Sequence, residues 1–164
     1  MKNTAFAPHK IITLQQLQQF LTVARLSGKT IAFTNGCYDI LHEGHIFSLS
    51  QAAAEADLLV VGVNSDDGIK KLKGNGRPVN NQHSRSLVLA SLIITDAVII
   101  FDEDTPLNLI NTIKPDVLVK GGDYTLEQIV GAKEVMAYGG RVIINPIIPG
   151  FSTTSIIDKI KHLK

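Results

Sequence analysis

A chain of 164 residues suits one domain with a single core, and 45% hydrophobic against 19% charged residues excludes a disordered chain. The net charge of +1 provides no global field for nucleic acid or a membrane surface, so any anion site must be local. One cysteine, Cys37, rules out an internal disulfide and fits a reducing compartment, while the lack of Trp argues against base-stacking platforms.

Met1 to Lys10 holds no apolar signal core, and no apolar run is long enough to span a bilayer. Thr13 has the character of an N-cap. Leu14, Leu17, Phe20, Leu21 and Ala24 follow at helical spacing, and Gly28 supplies the stop. Residues 1–28 are expected to form a helical extension ahead of a main domain over 29–164.

Five short apolar runs follow: Ile31–Thr34, Leu58–Val63, Ala97–Phe101, Val117–Lys120 and Arg141–Ile144. They do not alternate with polar residues, which marks strands buried on both faces of a parallel sheet. Helices are predicted over Gly44–Ala56, Asn81–Ile94, Pro106–Ile113 and Ser152–Lys161, and a flexible loop over Lys70–Asn81. Strands alternating with helices imply an α/β fold, a doubly wound five-stranded parallel sheet with an extra N-terminal helix.

Ligands of such sheets bind at the carboxyl ends of the strands, where the strand order reverses. Polar and glycine residues gather there: Asn35-Gly36-Cys37-Tyr38-Asp39, Asn64-Ser65-Asp66, Lys120-Gly121-Gly122-Asp123-Tyr124 and Gly150-Phe151-Ser152-Thr153-Thr154. His42 and His45 share one helix face, and Gly44 between them lets a phosphate approach the backbone. The helix start adds free N–H groups, so the pair could cradle a triphosphate and donate hydrogen bonds as charge grows in transfer. Zinc is the competing use, but the spacing is not that of the protease motif and no third ligand is evident. Ordinary surface histidines are the other alternative.

Lys70, Lys71 and Lys73 precede Gly74-Asn75-Gly76-Arg77. They could close over phosphates, with Arg77 supplying a fork, or form a solvated charge run. Arg85 could reach an acceptor phosphate or lie on the surface. Ser152 to Thr154 could cap the last helix, bind an anion, or do both. Asp39 could orient a lysine or metal, or cap the histidine helix, and Asp66 could cap the helix after the second strand. The run Asp102-Glu103-Asp104 could in principle hold a metal but reads as a solvated turn. No catalytic base stands out, and none is needed by a phosphate monoester whose second pKa is near ~6. Alignment and charge neutralisation then suffice for in-line attack on an α-phosphorus.

The stretch Phe33-Thr34-Asn35-Gly36-Cys37-Tyr38-Asp39-Ile40-Leu41-His42-Glu43-Gly44-His45, with Ser152-Thr153-Thr154-Ser155-Ile156-Ile157, resembles the nucleotidyltransferase superfamily marked by a His-x-Gly-His signature. Val63-Asn64-Ser65-Asp66, Leu72-Lys73-Gly74, Arg77-Pro78-Val79-Asn80, Glu103-Asp104-Thr105-Pro106, Pro115 to Tyr124 and Ile129-Val130-Gly131-Ala132 are most similar to its branch that adenylylates a heptose 1-phosphate. The resemblance implies an adenylyltransferase making ADP-heptose and pyrophosphate from ATP, a lipopolysaccharide precursor. His42, His45, Lys73 and Ser152 would be catalytic. Thr34, Asn35, Gly36, Cys37, Tyr38, Gly44, Asn64, Asp66, Thr153 and Thr154 would hold ATP. Arg77, Arg85, Lys120, Gly121, Gly122 and Asp123 would meet the acceptor. Magnesium would accompany the triphosphate without a dedicated protein site, and the enzyme would be a cytoplasmic homodimer. Many relatives fuse this domain behind a sugar kinase, so a separate kinase is expected here. A cytidylyltransferase acting on glycerol 3-phosphate is the alternative. Its group carries an arginine before the last motif where this chain has Ile147, and relatives often have Phe where Tyr38 stands.

Overall fold

The structure is a computed structural model that describes residues 6–163, so the first five residues of the expected extension lie outside it. The apolar runs form five strands: β1 Ile31–Gly36, β2 Leu58–Asn64, β3 Ala97–Phe101, β4 Val117–Gly121 and β5 Arg141–Asn145. They make one sheet in the order β3-β2-β1-β4-β5, every neighbouring pair parallel. Central β1 pairs Thr34 with Val61 of β2 on one side and with Val119 of β4 on the other. The order reverses between β1 and β4, which opens a crevice at their carboxyl ends.

The helices among the described residues are α1 Phe6–His9, α2 Leu14–Leu26, α3 Glu43–Ala53, α4 Asp66–Lys73, α5 Gln82–Ala90, α6 Leu107–Ile113, α7 Ala132–Ala137 and α8 Thr153–Lys161. Alternate strand residues serve two cores. Phe33, Val60, Ile99 and Leu118 pack with Leu17 and Leu21 of α2, Ile110 of α6 and Val135 of α7. Ala32, Leu59, Val61, Val98 and Val119 pack with Leu49 of α3 and Leu89 of α5. Burial on both faces is why the strands read as continuous apolar runs. The N-terminal segment joins this core directly. Its Ile12 N–H donates to Val98 at 2.9 Å and its Lys10 carbonyl accepts from Val98 at 2.8 Å, covering part of the β3 edge.

Local signals set the helix ends. Thr13 and Gln16 form a reciprocal capping box at α2, and Gly28 takes φ 69° after Ser27 closes it. The predicted helices end earlier than expected at Ala53 and Ala90, and each begins one residue from its expected start.

The expected flexible loop over 70–81 is corrected in two ways. Its first four residues belong to α4, which Ser65 caps through Gly68 N–H. Acidic Asp66 and Asp67 begin α4 and Lys70, Lys71 and Lys73 end it, a charge order that suits the helix dipole. Its far end is tied down, because Asp39 accepts from the N–H groups of Val79 and Asn80 at 2.8 and 2.9 Å.

Candidate functional site at the strand order reversal

A cavity of about 930 Å³ lies over the carboxyl ends of β1 and β4. Most of the residues expected from sequence line it: Thr34 through Tyr38, His42, Gly44, His45, Asn64, Lys73, Lys120 through Asp123, and Ser152 through Thr154. They come from separate segments that only the sheet brings together. Its volume is at the upper end for a small-molecule site, enough for a nucleotide with a second reactant.

The two histidines start α3. His42 occupies the N-cap position but makes no side-chain cap bond; the His45 N–H donates to the His42 carbonyl at 2.9 Å, which leaves the Glu43 and Gly44 N–H groups for an anion. The imidazoles stack with centroids 3.8 Å apart and planes 23° from parallel. Nδ1 of each is buried without a hydrogen-bond partner among the described residues. Burial pushes both pKa values down, and His45 falls to about 4. The charges of His42 and Lys73 add to the burial effect at His45, while the Ile40 carbonyl pulls weakly the other way without meeting hydrogen-bond geometry. At neutral pH the pair is therefore uncharged. A polyanion would reverse that balance, since a nearby negative charge favours the imidazolium.

Gly44 has a second task besides exposing the backbone. A Cβ there would lie 3.2 Å from the His42 ring and 3.4 Å from Phe151. Tyr38 supports the histidines from beneath, its ring edge-on to His45 at 5.3 Å. Burial raises the Tyr38 pKa to about 12, against a lowering hydrogen bond with Thr34, so the phenol stays protonated and does not serve as a base.

Lys120, next to last in β4, has its Nζ 3.4 Å from Asn35 Oδ1 and 5.9 Å from the centre of the Tyr124 ring. Burial lowers its pKa. An ammonium held by one weak hydrogen bond and a ring face has donors left for a phosphate. The three lysines of α4 divide their work. Lys70 pairs with Asp67 and Lys71 with Asp104, both exposed, while Lys73 lines the cavity. Ser152 caps α8 by accepting from Ser155 N–H at 3.0 Å and also lines the cavity.

Three expected ligand-binding residues lie outside the cavity lining. Arg85 is 2% exposed and is spent on the protein itself. Its guanidinium donates to the carbonyls of Cys37, Asn64 and Asn80 and pairs with Asp66 at 2.9 Å. Asp66 is committed by that pair and does not cap α4, a task that Ser65 performs. Arg77 points at buried Asp39, 2.6 Å from its carboxylate. A sequence shows that an arginine is present, but not that several carbonyls converge on it. Asp39 likewise caps no helix and binds Arg77 instead.

The cavity wall also holds Ser48, not singled out from sequence, and Asp104, not expected at the site. Ser48 lies one turn beyond His45, and a Cβ at Gly121 would sit 2.9 Å from its Oγ. Its spacing of three from His45 was the available signal. Asp104, read as part of a solvated turn, both pairs with Lys71 and lines the cavity. Among the described residues no group of three or more His, Cys, Asp or Glu could hold a metal ion.

Comparison with known proteins shows the family and the fold. The family model described as cytidylyltransferase-like matches residues 33–159. The bifunctional protein HldE of Nitrobacter winogradskyi is 57% identical over 143 residues, 87% of this chain and 29% of that protein. The bifunctional protein HldE of Acidiphilium cryptum is 47% identical over 98% of this chain and 33% of its own length. The chain thus spans about a third of the curated relatives it matches. Among solved structures, the lipopolysaccharide core biosynthesis protein of Thermoplasma volcanium superposes with TM-score 0.58 at 28% identity, covering 74% of this chain and 98% of that one. A pantoate-beta-alanine ligase from Francisella tularensis, at TM-score 0.60 and 14% identity over 93% of this chain and 78% of its own, shares the fold.

Proposed function

The chain belongs to the cytidylyltransferase-like family of nucleotidyltransferases, and on that premise we propose that it transfers AMP from ATP to a heptose 1-phosphate, releasing pyrophosphate. The observation that carries the chemistry is the uncharged stacked pair His42–His45 at the uncapped start of α3, in one cavity with Lys73 and Lys120. The heptose acceptor rests on the middle motifs quoted from sequence and on relatedness to the HldE proteins across most of the chain.

In this reading the triphosphate lies across the N-terminus of α3. His42 and His45 donate to its oxygens, and Lys73 meets it from the end of α4. Lys120 holds the acceptor phosphate beside Asn35. An acceptor oxygen forms a bond to the α-phosphorus while the bond to the bridging oxygen of pyrophosphate breaks. The acceptor is already ionised, so no base is required. The residues supply alignment and stabilisation of the developing charge. Magnesium would accompany the triphosphate and supply charge neutralisation there. No helix among the described residues is long and apolar enough to cross a membrane. Cytoplasmic residence and a homodimer complete the proposal.

Pyrophosphate release tests it, with ATP and CTP each offered a panel of sugar 1-phosphates and glycerol 3-phosphate. Release with ATP and a heptose 1-phosphate is expected. Release only with CTP and glycerol 3-phosphate would overturn the acceptor and nucleotide assignments together.

A further inference from the structure

Tyr38 is one of two described residues other than glycine with a positive φ, here 48°. A bulky residue in that region is strained, and it persists only where its surroundings over-determine it. The surroundings are unusually explicit. On one side of Tyr38, the Cys37 carbonyl accepts from Arg85 Nη1. On the other, the Asp39 carboxylate accepts from Arg77 and from the Val79 and Asn80 N–H groups, and the Asp39 carbonyl accepts from the Asn80 side chain at 2.6 Å. Arg85 reaches the Asn80 carbonyl as well, joining the two sides. The clasp is buried, with the Asp39 side chain 1% exposed and the Arg85 side chain 0%.

Stability does not explain this choice of residues. A buried ion pair is generally no more stabilising than well-packed apolar groups of the same volume. What charged groups alone can do is satisfy several converging carbonyls and N–H groups of an irregular loop at once. The loop so held is the one whose Tyr38 ring lies edge-on beneath His45.

We propose that Arg85 and Asp39 are positioning residues for the transfer reaction: they hold Tyr38 in its left-handed conformation, and the Tyr38 ring in turn fixes the His45 imidazole in the triphosphate cradle. The inference rests on the reading of His45 as a phosphate-facing residue, but its first test uses no substrate. Arg85 keeps its charge yet loses the fork in Arg85→Lys. Asp39→Asn keeps an acceptor oxygen and loses the charge opposite Arg77.

The His45 imidazole is titrated by NMR in the free full chain, with His45→Ala assigning its signal. In the wild type the titration is expected well below that of an ordinary histidine, at about 4, because the ring is buried. Release of the Tyr38 ring would hydrate it and move the titration up in both variants. Turnover, read as pyrophosphate release, should fall roughly 10- to 100-fold with little change in KM for the nucleotide, as expected when alignment is lost. A fall in melting temperature with unchanged His45 titration and unchanged kcat would overturn the proposal and leave the clasp a structural feature. If Arg85→Lys does not fold, Asp39→Asn decides alone by the same two readouts. A wild type without turnover on any acceptor would defeat the proposed function while the titration still judges the clasp.

Discussion

Where the strands begin, three aspartates close the sheet. Asp57 accepts from Thr30 N–H, Asp96 from Leu59 N–H and Asp116 from Ile31 N–H, each at 2.7–2.8 Å and each from the strand next to its own. Arg25 and Arg141 add exposed pairs with Asp116 and Glu55. Where the strands end, the charged groups are buried in the clasp around Arg85 and Asp39, and the histidine Nδ1 atoms, Lys120 and the start of α3 are left underused. The same residue types thus do opposite things. At one edge polar groups satisfy one another and leave nothing for a ligand. At the other, a satisfied inner layer holds an unsatisfied outer one open, as a preorganised anion site requires.

The largest break in this comparison should come from His45→Ala, which removes a donor from the open edge. Turnover is expected to fall by ~10²–10³-fold with the fold intact by circular dichroism. Unchanged pyrophosphate release would remove His45 from the chemistry. Lys120→Met should follow, at about 10- to 100-fold in kcat/KM for the acceptor, the worth of a lost charge-assisted hydrogen bond. A loss confined to the nucleotide KM would move Lys120 to the triphosphate.

Acid should act on the open edge as well. Folded His42 and His45 resist protonation, so the stability they contribute is present above the unfolded histidine value of 6.5. It is lost progressively as pH falls from there towards about 4, where folded His45 itself takes a proton. Melting temperatures across that window should decline less in His45→Ala than in the wild type. Triphosphate binding should take up protons there, which calorimetry in buffers of different ionisation enthalpy would register; proton-neutral binding would argue that the phosphates do not lie on the histidines.

The closed edge sharpens the contrast with smaller effects. Asp116→Ala strands the buried Ile31 N–H and should cost about 1–3 kcal/mol of stability by denaturant titration, with turnover unchanged. Arg141→Ala removes only an exposed pair and should cost under ~0.5 kcal/mol.

Much of this was legible beforehand. The five strands followed from unbroken apolar runs, and the strand-order rule placed the polar clusters at one edge before any coordinates. Thr13 announced its helix. The helix after the second strand was expected only through a cap at Asp66, where Ser65 does the capping, and its last four residues were read as loop because only Ile69 and Leu72 supply an apolar face.

By itself, the order of residues determined the parallel α/β architecture, the family and the placing of two histidines at one helix start, because periodicity and local motif spacing are properties of neighbours along the chain. Only the tertiary structure decided which cations face the cavity. Arg77 and Arg85 were withdrawn from it and Lys73 and Lys120 left in it, since the carbonyls and carboxylates that capture an arginine come from segments as far away as Asp39 and Asn64. Burial, which makes the histidines neutral and Tyr38 an inert support, is likewise a property of packing across the sheet.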